Sequence, residues 1–86
     1  MLIAFSTNGW QDYLYWQQND KKILNKIFKL LEDIKRNPND KNGLGKPERL
    51  KANLNSYYSR RITQEHRLVY TIKGDTIIVA QCRFYY

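Results

Sequence analysis

The first part of the chain alternates between apolar and polar positions in patterns typical of one strand and two helices. Residues 2–5 form a continuous apolar run typical of a short strand, and the polar residues 6–8 that follow supply side chains able to cap a helix. From Gly9 to Gln18, the spacing of apolar positions suits one helical face. Asp20 then predicts the start of a second helix with the i, i+3, i+4, i+7 pattern. Its apolar positions are Leu24, Ile27, Phe28, Leu31 and Ile34.

The middle of the chain predicts an irregular loop. Asn37-Pro38-Asn39 ends the second helix, because proline lacks an amide proton and restricts the residue before it. Residues 40–47 contain two glycines, and a loop here would place Glu48 and Lys51 at the edge of a sheet. The spacing of Leu50 and Leu54 predicts one apolar turn that holds this segment against the rest of the protein.

The last thirty residues are typical of three strands separated by turns. The strands are predicted over residues 57–63, 66–73 and 76–85, with a turn at residues 64–65 and a tight hairpin at Gly74-Asp75. The sequence therefore predicts a single α+β domain over residues 1–86. Its parts are an N-terminal strand, two helices and a three-stranded antiparallel meander packed on the helices.

Side chains alternate between the two faces of a strand, so each predicted strand has a polar face. We expect these faces to form one concave cationic surface, while the other face of the sheet packs on the helices. The predicted members of the cationic surface are Arg61, Arg67, Arg83 and Tyr85. His66 falls on the same face as Leu68 and Tyr70, which favours a structural role for its side chain.

Charge points to a polyanionic partner. The 86 residues carry 15 Lys and Arg against 8 Asp and Glu, a net charge of +7. Between residues 41 and 67, seven cations stand with only two acids, which favours a patch that faces RNA or DNA over a merely solvated surface. The cations are Lys41, Lys46, Arg49, Lys51, Arg60, Arg61 and Arg67.

Several functional classes are disfavoured by what the sequence lacks. Cys82 is the one cysteine and His66 the one histidine, so neither an internal disulfide nor a zinc site of the usual kind can form. Cys82 lies in an apolar run and is predicted to be a small core residue. Without a signal-peptide or transmembrane pattern, we expect a cytoplasmic protein that uses neither a metal nor another cofactor, and that has no membrane partner.

RNA can be cleaved without a metal, because its 2′-OH supplies the nucleophile. The protein then needs a base near that hydroxyl, cations around the phosphate and an acid for the leaving 5′ oxygen. Glu48 is the candidate base, since it is an isolated acid among cations; a surface ion pair is the alternative. Arg61 and Arg67 are suited to phosphate, either in catalysis or in binding alone.

Two segments resemble a known family. These are residues 45–51, GKPERLK, and residues 59–70, SRRITQEHRLVY, and the resemblance extends from Trp10 to Tyr86. The chain resembles the Txe/YoeB family, in the RelE-like superfamily of type II toxins. The resemblance implies a fold like that of small microbial ribonucleases and cleavage of mRNA in the ribosomal A site. It also implies neutralisation by an antitoxin of the YefM type.

The same resemblance assigns roles to individual residues. Glu48 takes the place of the family's base, Arg67 that of its phosphate-stabilising arginine, and Tyr86 that of its C-terminal aromatic residue. Lys51 and Arg61 take the places of supporting cations that bind RNA; Arg83 is predicted to bind RNA from strand alternation.

The chain departs from the family at its end. The family commonly ends in aromatic-His-Tyr with the histidine as general acid, whereas this chain ends Phe84-Tyr85-Tyr86. Tyr85 therefore stands in the place of the acid. A free phenol has a pKa of about 10, against about 6.5 for imidazole, so a tyrosine is the worse-matched acid at neutral pH. We expect Tyr85 to act as a slower acid or as a residue that stacks on RNA.

Three functions remain open from the sequence. The first is a metal-independent, ribosome-dependent endoribonuclease, and the second is a ribosome-binding inhibitor of translation with little cleavage. The third is a plain RNA-binding domain, which leaves Glu48 without a purpose. The predicted partners are the ribosome with its mRNA, an acidic segment of a YefM-like antitoxin and, by family resemblance, a second copy of the chain.

Overall fold

The computed structural model describes residues 1–39, 42–51 and 56–84. Two helices and five strands follow one another in the order β1, α1, α2, β2, β3, β4, β5. Their bounds are β1 Leu2–Phe5, α1 Thr7–Asn19, α2 Lys21–Arg36, β2 Glu48–Arg49, β3 Tyr58–Arg61, β4 Arg67–Lys73 and β5 Thr76–Gln81.

Both helices begin at the side-chain caps that the sequence predicts. The Ser6 side chain accepts a hydrogen bond from the Gly9 amide at 3.1 Å. Asp20 ends α1 and begins α2: its amide donates to the Trp16 carbonyl, and its carboxylate accepts from the Lys22 and Ile23 amides. One residue therefore closes one helix and opens the next, because its side chain satisfies amides that have no partner inside α2.

The sheet corrects the predicted topology. A three-stranded antiparallel meander was expected, but β3, β4 and β5 are the centre of a five-stranded mixed sheet of order β1-β5-β4-β3-β2. β1 joins β5 in parallel, and the two-residue β2 joins β3 antiparallel. The strand predicted to run to Tyr85 ends at Gln81. Phe84 has a φ of 65°, which no extended strand contains.

The helices cover one face of the sheet, as predicted. Trp16 is buried with them, and its indole N–H donates to the Cys82 carbonyl at 2.8 Å. Cys82 is itself a free, fully buried cysteine. None of the helices in the described part of the chain is long and apolar enough to cross a membrane. The core joins α2 to the sheet through Leu24, Ile27, Leu30, Leu31, Ile34, Leu68, Tyr70, Ile77 and Val79.

Candidate active site

The register of the sheet brings three of the candidate residues to one face. Residues directly opposite each other in an antiparallel ladder point their side chains to the same side. Glu48 lies opposite Ser59, and Arg61 lies opposite Arg67. Since Ser59 and Arg61 are two residues apart, the side chains of Glu48, Arg61 and Arg67 belong to the same face of the sheet. This face, named here the cationic face, is the one that the helices leave uncovered.

Glu48 lies at the margin of the cationic face. It begins β2, which is the last strand of the sheet, and its side chain is exposed. A cleft of about 560 Å³ opens beside it, between the end of α2 and the sheet. The cleft is lined by Pro38, Asn39, Pro47, Glu48, Arg49, Tyr58 and Tyr70. Tyr58 and Tyr70 lie opposite each other and alternate with Ser59, so the cleft opens on the side of the sheet that the helices cover. A carboxylate in this position can accept a proton from a ligand that reaches it from solvent.

Arg61 and Lys51 are both exposed residues. Arg61 ends β3 and is exposed, and Lys51 is exposed just beyond β2. Lys51 follows Glu48 closely in the chain. Arg61 follows Ser59, the residue that pairs with Glu48 across the sheet. Cations placed in this way can bind the non-bridging oxygens of a phosphodiester whose sugar lies near the carboxylate.

Arg67 is more enclosed than the sequence suggests, with only 5% of its surface exposed. Its Nη1 donates to the carbonyl oxygens of Thr63, Gln64 and His66, at 2.7, 3.1 and 3.1 Å. Its backbone amide donates to the Phe84 carbonyl at 3.1 Å. Arg67 thus holds the turn before β4 and Phe84 in place while it carries a positive charge beneath the cationic face.

Arg83 is a correction to the predicted cationic surface. Its guanidinium carbon lies 3.5 Å from the centre of the Tyr15 ring on α1 and 4.5 Å from that of Phe84. The alternation used to place it fails because β5 ends at Gln81, two residues earlier. Arg83 therefore stacks on aromatic rings beside α1 instead of standing with Arg61. Tyr85 and Tyr86, the other two C-terminal candidates, lie outside the described residues.

Arg60 is a second correction, because it does not belong to the surface cluster. It is fully buried; its Nη1 lies 2.5 Å from Asp33 Oδ2, and its Nε donates to the Tyr70 hydroxyl at 3.1 Å. The hydrogen bond from Arg60 lowers the pKa of Asp33, and burial raises the pKa of Tyr70. Strand alternation predicts the burial of Arg60, since the side chains of the neighbouring residues Arg60 and Arg61 point to opposite faces of the sheet. Lys41, also assigned to the cluster, lies outside the described residues.

His66 has the structural position that alternation predicts. Its Nδ1 accepts a hydrogen bond from the Phe84 amide at 2.7 Å. Its ring meets the Trp16 indole edge to face, with centroids 4.7 Å apart. Within the described residues, no cluster of three or more His, Cys, Asp or Glu side chains is arranged to hold a metal ion.

Comparison with known proteins agrees with this fold. The model of the "YoeB-like toxin of bacterial type II toxin-antitoxin system" family matches residues 5–86. The toxin YoeB of Synechocystis is 56% identical over 86 residues, which are 100% of this chain and 98% of that protein. A solved YoeB–YefM complex from Staphylococcus aureus matches with a TM-score of 0.90 and 52% identity, over 100% of this chain and 99% of that one. A YoeB dimer from the same organism matches with a TM-score of 0.91 and 52% identity, over 100% and 98%.

The family match and these similar proteins define a bacterial toxin of the type II toxin–antitoxin class. Within that class, the chain belongs to the YoeB-like toxin family. The resemblance drawn from residues 45–51 and 59–70 is thereby confirmed.

Proposed function

We propose that this toxin is a ribosome-dependent endoribonuclease that cuts mRNA in the A site and so inhibits translation. The observation that carries the proposal is the ladder register that sets Glu48, Arg61 and Arg67 on one face of the sheet. A plain RNA-binding surface has no need of a carboxylate among its cations, because the carboxylate repels phosphate. A nuclease needs one, since its base must reach the 2′-OH.

The proposed reaction is an internal transfer followed by loss of the 5′ oxygen. Glu48 takes the proton of the 2′-OH, and that oxygen forms a new bond to the adjacent phosphorus. Arg61 and Lys51, with Arg67 behind them, stabilise the negative charge that builds up on the phosphate oxygens. The bond from phosphorus to the 5′ oxygen breaks, and Tyr85 donates the proton to that oxygen. The products are a 2′,3′-cyclic phosphate and a 5′-hydroxyl, and the nucleophile comes from the RNA, so the route requires no metal.

The proposed RNA-binding roles divide into two groups. Lys51 and Arg61 bind the phosphates next to the cut, because both residues are exposed and both lie close to Glu48 in the chain or in the register of the sheet. Tyr86 stacks on a base, a role that rests on the family resemblance. Arg83 remains a candidate only for RNA that extends toward α1, given its contact with Tyr15.

The proposal is tested by mapping message ends in a cell-free bacterial translation reaction with purified toxin. We expect new 5′ ends inside the reading frame, only when ribosomes are present, and these ends should carry a hydroxyl. Ends that carry a 5′-phosphate would exclude attack by the 2′-OH. Cleavage of free RNA at the same sites and rate would show that the reaction does not require the ribosome.

A second function is favoured by one observation, the absence of a histidine before the last tyrosine. Removal of a general acid typically slows a reaction by about 10² to 10⁴-fold. In that case the toxin acts mainly by binding the ribosome. Stalled ribosomes on intact message are the result that supports this alternative, and Tyr85→His should then restore cleavage.

The proposed partners follow from the solved relatives. A YefM-like antitoxin is the proposed partner, since a YoeB–YefM complex is known from Staphylococcus aureus. We propose that it neutralises the toxin by laying an acidic segment over the cationic face, where opposite charges attract. A homodimer is proposed on the basis of the dimer formed by that relative. The proposed place of action is the cytoplasm, where ribosomes meet message.

A further inference from the structure

A buried ion pair lies beneath the segment that leads into Glu48. Arg60 is fully buried in β3, and only 18% of the Asp33 side chain on α2 is exposed. The Tyr70 hydroxyl accepts from Arg60 Nε, so the guanidinium is held from two sides. We name these two charged residues the Arg60–Asp33 pair.

Stability alone gives a weak account of such a pair. Removing two charges from water costs several kcal/mol each, and their mutual attraction often only offsets that cost. An apolar pair of similar volume is frequently as stable or more so. The useful property of the pair is therefore its geometry, since charged hydrogen bonds fix the groups around them in one arrangement.

The group fixed in this case is the backbone at Leu44. The Leu44 amide donates to Asp33 Oδ2 at 3.1 Å, and Arg60 Nη1 donates to the Leu44 carbonyl at 3.1 Å. The Leu44 side chain is 45% exposed, so apolar burial contributes little to its position. The next carbonyl, of Gly45, accepts from the Arg61 amide at 2.7 Å. The amide and the carbonyl of Leu44 are thus both hydrogen-bonded to the Arg60–Asp33 pair.

Glu48 depends on this anchor because its own strand is short. β2 has only two residues, it lies at the edge of the sheet, and it pairs with β3 alone. Between Leu44 and Glu48 the chain passes through left-handed backbone at Gly45 and Lys46, with φ of 76° and 53°. A side chain at Gly45 would meet the Arg61 carbonyl at 2.9 Å. Buried Leu50 holds the other end of β2, so a shift at Leu44 changes the angle at which Glu48 leaves the sheet.

We propose that Arg60 and Asp33 are positioning residues that set the Glu48 carboxylate on the cationic face. This inference rests on the proposed nuclease function. The pair lies on the helix-covered side of the sheet and Glu48 on the other, so the pair acts through the backbone of residues 44–48 and not by contact with RNA.

The test replaces the pair by apolar residues of similar size, in the double variant Arg60→Met with Asp33→Leu. We expect the double variant to fold with a lowered melting temperature, because the buried Tyr70 hydroxyl loses its partner. We expect its single-turnover cleavage on ribosomes to be slowed by about 10 to 100-fold, as expected when a catalytic group moves by about 1 Å. The matched control removes the exposed pair on the same helix, whose Lys35 and Glu32 are 3.6 Å apart, by Lys35→Met with Glu32→Leu. It should cleave at the wild-type rate.

A cycle with Glu48→Gln separates positioning from general damage. If the pair acts through Glu48, the double variant loses nothing further once Glu48 is replaced. An equal loss in both backgrounds, or wild-type cleavage by a folded double variant, would overturn the positioning role alone. Wild-type cleavage by Glu48→Gln would overturn the base, and with it the proposed mechanism.

Gly43→Ala provides the same test without removing a charge. A Cβ at Gly43 would lie 2.6 Å from Asp33 Oδ2 and 2.8 Å from Arg60 Nη1, so the pair must move aside. We expect slower cleavage that again depends on Glu48. This variant decides the question if the double variant fails to fold: unchanged cleavage by a folded Gly43→Ala protein with displaced Leu44 amide signals would contradict the proposal.

Discussion

Two adjacent arginines have opposite environments. Arg60 is fully buried against α2, while Arg61 is exposed opposite Arg67. The period of two along a strand predicts this difference, and it correctly assigned Arg61 and Arg67 to one face. Charge counting concealed it, because a tally of cations treats every arginine as a surface group. The acid partner of Arg60 lies 27 residues away on another element, so no local pattern reveals it.

The Tyr70 hydroxyl should contribute to stability through Arg60. Tyr70→Phe removes the acceptor of Arg60 Nε and leaves a buried charged donor unpaired, so we expect the free energy of unfolding to fall by about 1–3 kcal/mol. Tyr58→Phe is the control: its ring stacks on that of Tyr70 at 5.8 Å but is less buried, and we expect a loss under about 0.5 kcal/mol. Urea unfolding measures both variants; equal losses would contradict the role of the hydroxyl.

Asp33 should make stability depend on acid pH. The hydrogen bond from Arg60 lowers the pKa of Asp33 in the folded protein below its ordinary value of 3.8. A lowered pKa means that this stabilisation is complete above the ordinary value and is lost as pH falls through the folded-state pKa. We expect Asp33→Asn to melt below the wild type at pH 7 and the gap to shrink below about pH 4. A gap that is unchanged down to pH 2 would show that the charge is not responsible.

Local sequence patterns predicted where the helices and most of the strands lie, but not how the strands pair in the sheet. Both helix starts were predicted from their caps, and the strands β3, β4 and β5 from alternation and turns. The parallel pairing of β1 with β5 joins residues about 75 positions apart, which no local signal encodes. The two-residue β2 is too short to show a period, although the loop before it suggested an edge position for Glu48. The position of Arg83 was predicted from strand alternation, which no longer applies because β5 ends at Gln81.

His66 links the turn before β4 to the backbone of Phe84. Because the His66 Nδ1 accepts from the Phe84 amide, His66→Leu removes that acceptor, whereas His66→Asn offers an oxygen in its place. We expect the Phe84 amide to exchange its hydrogen about 5 to 10-fold faster in His66→Leu and near the wild-type rate in His66→Asn. Similar exchange rates in all three proteins would contradict the structural role of the imidazole.

At the scale of the whole molecule, the net charge of +7 serves both proposed partners. In the proposed function, RNA phosphates and an acidic antitoxin segment bind the same cationic face, so we expect one to exclude the other. We expect the dissociation constant for a YefM-like antitoxin to weaken steadily between about 50 and 300 mM salt, because screening reduces the attraction between opposite charges. Arg61→Gln should flatten this dependence. Binding that does not respond to salt would indicate an apolar interface.

We propose Glu48 as the base of a ribosome-dependent nuclease, and replacing it by an uncharged amide of the same shape tests this role. Wild type, Glu48→Gln and the control Glu32→Gln, an exposed carboxylate on α2, are added to a bacterial translation reaction, and message ends are mapped by primer extension. We expect ribosome-dependent ends with wild type and Glu32→Gln, and cleavage slowed by about 10² to 10⁴-fold with Glu48→Gln. Wild-type cleavage by Glu48→Gln would exclude Glu48 as the base.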